Sequence, residues 1–118
     1  KTEKEEAVTA GRITSDSQAQ MHGISANLSQ DVGKNVTLSI GENQSLSVGK
    51  DSKSQVGKKY YLEAGDELVL KTGDASITMK KDGTITIKGK DITVNGSGKI
   101  GVKASGDVVI KGAKIAEN

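Results

Sequence analysis

Apolar and polar residues alternate in short strings along this chain, and glycines cut the strings at a fixed interval. Gly33, Gly41, Gly49, Gly57, Gly65 and Gly73 stand eight residues apart. Between them lie Val36-Thr37-Leu38-Ser39-Ile40, Leu46-Ser47-Val48, Tyr60-Tyr61-Leu62-Glu63-Ala64 and Leu68-Val69-Leu70. Apolar side chains recur at the fourth, sixth and eighth places of the unit, counted from its glycine, with a few polar exceptions. Alternation at period two predicts a half-buried strand. A polar pair follows each glycine, as in Lys34-Asn35, Glu42-Asn43 and Lys50-Asp51. Glycine, asparagine and aspartate accept turn conformations that other residues resist. Each unit therefore reads as one short strand and one corner, and a fixed repeat dictates the architecture.

The frame weakens toward the start and slips toward the end. Carried backwards, it places Leu28 level with Val36, Val32 with Ile40, and His22 with Leu38. Residues 11–32 thus read as degraded repeats, and 33–72 as regular octads. Beyond Gly73 the apolar pairs Ile77/Met79 and Ile85/Ile87 are displaced by one residue, then corrected at Ile92/Val94. A slip of one turns every side chain to the other face. The corners are expected to absorb it, with an extra residue near Thr72–Ala75 and a missing one near Lys88–Asp91. Ile100/Val102, Val108/Ile110 and Ile115 continue the series, so 73–118 reads as shifted repeats. The opening segment 1–10 is short and charged, and is expected to link to an upstream domain.

Composition changes what this pattern implies. The 118 residues include no Phe, Trp, Pro or Cys, and only two Tyr. Aromatic side chains contribute much of an ordinary core, so a single chain of this kind buries little. Charge-driven disorder is opposed by a formal net charge of only +2 and by the periodicity of the apolar residues. The expected solution is that several chains pool their narrow apolar faces. An eight-residue unit is too short for a whole rung of a single-chain solenoid, but it suits one side of a three-sided column wound from three chains. Intertwining would also remove most free strand edges. Roughly a dozen units at the usual strand spacing would stack to a column on the order of 50–60 Å long. The predicted fold is therefore all-β: an intertwined homotrimeric, three-sided, parallel-type β-helix, or β-prism, over 11–118. Its axis would be lined by Val36, Leu38, Ile40, Leu46, Val48, Leu62, Leu68, Leu70, Ile77, Met79, Ile85, Ile87, Ile92, Val94, Ile100, Val102, Val108 and Ile110.

Two stretches carry a resemblance to a known family. The octads Val36-Thr37-Leu38-Ser39-Ile40-Gly41-Glu42-Asn43 and Leu46-Ser47-Val48-Gly49-Lys50-Asp51 are similar to those of contractile-phage central spike needles. The block from Gly73 through Ile77-Thr78-Met79-Lys80-Lys81-Asp82-Gly83-Thr84-Ile85, Ile92-Thr93-Val94 and Ile100 closely resembles the C-terminal β-prism of VgrG proteins. These are the spikes of the bacterial type VI secretion system. The resemblance covers about Gly11 to Asn118. It implies a membrane-piercing spike shaft that carries effectors into target cells. It further implies a tail-tube protein reached through the upstream domain, and a tip cap protein and secreted effectors as partners. A shaft of this kind would wait in the bacterial cytoplasm before firing and then pass outside or into the target cell, with transient contact with its membrane. Docking of a cap or effector is expected at the C-terminal end, around Ile115 and Asn118.

Candidate chemistry is sparse. His22 is the lone histidine, and a threefold axis would bring three imidazoles together as possible zinc or iron ligands. A solvated polar layer explains it better, and no metal or cofactor is assigned. Gln44, Ser52 and Ser54 interrupt the apolar places and read as a hydrated layer that fixes chain register. Tyr60 falls inward and Tyr61 outward, which makes Tyr61 a candidate contact for a bound effector. The lysines of the C-terminal half lack interleaved aromatics, so no nucleic-acid partner is expected. No Gly-x-x-x-x-Gly-Lys-Ser/Thr loop occurs, nor a cysteine nucleophile or a Ser/His/Asp set on one face. The chain is read as a non-enzyme. The competing reading is a trimeric adhesin or phage-type receptor-binding needle, which would need a ligand platform that the sequence does not offer.

Overall fold

In a computed structural model the described residues are Gln18, Ala19 and 21–118. The linker expected over 1–10, and the start of the degraded repeats, lie outside them. The chain divides into two units, Lys1–Asp51 and Ser52–Asn118. The structure is all-β, with no helix among the described residues.

The described part of the first unit is an extended chain interrupted by two-residue bends. They fall at 25–26, 33–34, 41–42 and 49–50, a constant eight apart. Each glycine-led bend is followed by its polar residue, as the corner chemistry requires. Within this unit no described strand finds a partner in the same chain. Extended backbone without a ladder leaves its N–H and C=O groups to water or to another chain.

The second unit keeps the same bends at 57–58 and 65–66, and then departs from the array. Three strands follow: β1 (Glu67–Thr72), β2 (Ala75–Lys80) and β3 (Ile85–Lys88). They form an antiparallel meander in the order β1-β2-β3. This corrects the parallel-type expectation for 67–88, where the chain pairs with itself.

The two loops explain the slip in the apolar pattern. Gly73 and Asp74 join β1 to β2, with Thr72 opposite Ala75 and Gly73 at φ +54°. A positive φ at the first central residue alone is the type II′ arrangement, whose twist matches that of the strands. A two-residue loop pairs even-numbered residues with odd-numbered ones, so Leu68 faces Met79 and Leu70 faces Ile77. The second loop, Lys81-Asp82-Gly83, has three residues. Gly83 N–H donates to the Lys80 carbonyl and Lys80 N–H to the Thr84 carbonyl, both at 3.0 Å. With Gly83 at φ +93° this is a turn closed by a glycine bulge. A three-residue loop pairs odd with odd, and Ile77 faces Ile87 while Met79 faces Ile85. The displacement at Ile77 is thus the register of a hairpin and not an extra residue absorbed in a corner. After β3, bends return at 90–91, 97–98, 105–106 and 113. The apolar residues Ile92, Val94, Ile100 and Val102 return to even numbers with them.

Candidate subunit interface

The meander has two unlike faces. Leu68, Leu70, Ile77, Met79, Ile85 and Ile87 share one, two from each strand. Glu67, Val69, Lys71, Ser76, Thr78, Lys80, Thr86 and Lys88 share the other. On that second face Glu67 stands opposite Lys80, a cross-strand pair of opposite charge. Lys81 extends the first hairpin by one position: its N–H donates to the Asp66 carbonyl at 3.0 Å, and its Nζ lies 3.3 Å from Asp66 Oδ1. Both side chains are largely exposed, so the ion pair adds little. In the second loop the Thr84 N–H donates to Asp82 Oδ1 at 3.0 Å. That bond holds the Asp82 carboxyl below its ordinary range, because it favours the ionised form.

The apolar face is uncovered. Leu68 is half-buried, but Ile77 remains 39% and Met79 41% exposed, and Ile85 and Ile87 are more open still. An open groove of about 800 Å³ continues this face past the end of β3, where Leu70, Ile77 and Ile87 meet Ile92 beside the half-buried Gly89.

The octads repeat the same situation residue by residue. The side chain just before each bend is the best covered of its unit: Ile24, Val32, Ile40, Val48 and Val56 are 44–52% exposed. Val36, Leu38 and Leu46, at the fourth and sixth places, are 70–81% exposed. Ile24, Val32 and Val56 share the place of Ile40 and Val48 in their units, although they are not among the expected axial residues. Their spacing of eight from Ile40 and Val48 is the signal that finds them. Leu62, Val94, Ile100, Val102, Val108 and Ile110 are likewise exposed. No described residue is buried.

A contiguous exposed apolar face is a candidate interaction surface. An apolar ladder on one side of each strand, with free backbone groups at its edges, can bind matching strands.

The remaining candidate residues stay apart. His22 is exposed, and no cluster of potential metal ligands occurs among the described residues. Gln44, Ser52 and Ser54 are exposed like their apolar counterparts. Tyr61 is more open than Tyr60, and its hydroxyl donates to Glu63 Oε2 at 3.3 Å, two residues along the chain. Ile115 and Asn118 are exposed beyond the last bend. No helix among the described residues is long and apolar enough to cross a membrane. Compared with known protein families and with curated proteins, the chain matches none.

Proposed function

We propose that this chain is one strand of an intertwined homotrimeric β-prism, and that the prism is the piercing shaft of a type VI secretion spike. The observation that carries the reading is the constant eight-residue interval of the bends from 25–26 to 57–58, each preceded by an apolar side chain that its own chain leaves about half exposed. Three chains wound about an axis would cover those side chains and pair the free backbone groups. The VgrG-like block from Gly73 to Ile100 supports the particular kind of shaft.

Rigidity is what such a shaft contributes. When each strand is held by two other chains, opening one unit means breaking ladders on both sides. The spike would be held in the cytoplasm on the tail tube through an upstream domain. It would carry a cap protein and effectors, with Tyr61 on its flank and Ile115 and Asn118 at its end as contacts, and pass out of the cell on firing.

Two measurements test this in sequence. Sedimentation of the purified chain should give three chains per particle, with a β-rich circular dichroism spectrum. Residues 21–118 placed in a type VI spike, in place of its own shaft, should then preserve contraction-dependent secretion. A folded monomer would overturn the architecture. A trimer that abolishes secretion would overturn the spike while leaving the prism.

A further inference from the structure

We infer that the apolar face of the β1–β3 meander is the surface on which three copies of this chain set their mutual register. The inference rests on the trimeric reading above. Octads are degenerate: one unit resembles the next. A chain displaced by eight residues still sets Ile24 against Val32, Val32 against Ile40, Ile40 against Val48 and Val48 against Val56. Such an offset trimer would lose mainly its terminal units. Strands with repeated patterns slip for this reason.

The meander accepts that displacement only in part: Ile85 and Ile87 come level with Ile77 and Met79, but the rest of its face does not match. Its apolar residues switch from even to odd numbers at the Gly73-Asp74 loop, stay odd through Ile87, and return to even at Ile92. Moved by eight, Ile77 and Met79 come level with Val69 and Lys71, while Ser76 and Thr78 come level with Leu68 and Leu70. Polar groups then stand where the apolar face must close. Only the in-register arrangement sets the six-residue apolar face of one chain against the same face of the others.

The occupant is a further copy because the face is continuous with the octad series on both sides, through Leu68 and Ile92. In addition, β1 and β3 each pair with β2 alone, so each has one free edge for a neighbour's backbone. The meander is also the only described stretch whose strands pair within the chain. It can therefore take shape before the octads find partners.

A cysteine-free chain makes the test clean. Ser39→Cys carrying one nitroxide per chain is measured by pulsed electron spin resonance. A single narrow distance is expected from a threefold, in-register trimer. Replacing Ile77, Met79, Ile85 and Ile87 by Ser, Thr, Thr and Ser should leave association intact but split the distribution into two or more distances. Where that variant does not associate, Ile77→Ala alone is read in the same way. A companion variant, Gln44→Leu with Ser52→Val and Ser54→Leu, removes the polar interruption and should keep the single distance. One distance in the meander variants, or splitting only in the companion, would overturn the register role while leaving the trimer. A parent chain that sediments as a monomer overturns the trimer and this inference with it.

Discussion

Two loop residues, Gly73 and Asp82, decide the local geometry that the rest depends on. Gly73 holds a φ of +54° in a loop with no residue to spare. A side chain there costs about 1–2 kcal/mol per chain, less for asparagine, which tolerates the left-handed region better. Gly73→Ala should therefore lower the unfolding midpoint of the assembled protein, and Gly73→Asn should lower it less, by calorimetry. Asp82 sets the second loop through its bond to the Thr84 amide. Its carboxyl titrates below the ordinary range in the folded chain. The stabilisation it gives is complete above the unfolded-state pKa and is lost as pH falls through the depressed folded value. The Thr84 amide resonance should follow that titration at acid pH. In Asp82→Ala it should not move.

At the scale of elements, loop length controls which face of a strand is apolar. A two-residue loop exchanges even for odd positions, and a three-residue loop preserves the count. One residue inserted between Gly73 and Asp74 should turn β2 over, bringing Ser76 and Thr78 onto the side of Leu68 and Leu70. Amide exchange across Ala75–Lys80 should then accelerate by at least tenfold, and association should weaken. The same rule explains what was legible in the sequence and what was not. The octad corners at 33–34, 41–42, 49–50 and 57–58 follow directly from Gly-polar pairs at constant spacing. The meander was visible only as a fault in that spacing. A reading committed to one continuous array assigned the fault to its corners. Gly73-Asp74 between two alternating runs is itself a hairpin signal, and the nine residues from Leu68 to Ile77 are the parity change that such a loop demands. The candidate contacts were legible as a pattern of exposed positions.

For the whole molecule, the proposed trimer makes stability inseparable from association. The apolar side chains just before the bends are about half exposed, and no described residue is buried. At about 25 cal/mol per Å² of apolar surface removed from water, the proposed trimer would draw its stabilisation from contacts between chains. Unfolding should therefore be concentration-dependent. A tenfold dilution should lower the midpoint by several degrees, whereas a self-sufficient monomer would show no change. Val48→Asp, at one of the better covered places, should prevent assembly where Ser47→Asp, one residue away on the opposite side, is tolerated. Sedimentation of the two variants side by side checks this.

The bends at every eighth residue also bear on how such a chain changes size over evolutionary time. A corner and its strand form a closed module, and the next module begins in the same orientation. Duplicating or deleting one module leaves every other residue on its original side, whereas a change of one or three residues inverts all that follows until a second change cancels it. Lineages of such chains are thus expected to grow and shrink in whole steps, giving a ruler whose length is selected in increments. The meander, which cannot be duplicated without repeating its own inversion, would remain single while the modules around it multiply.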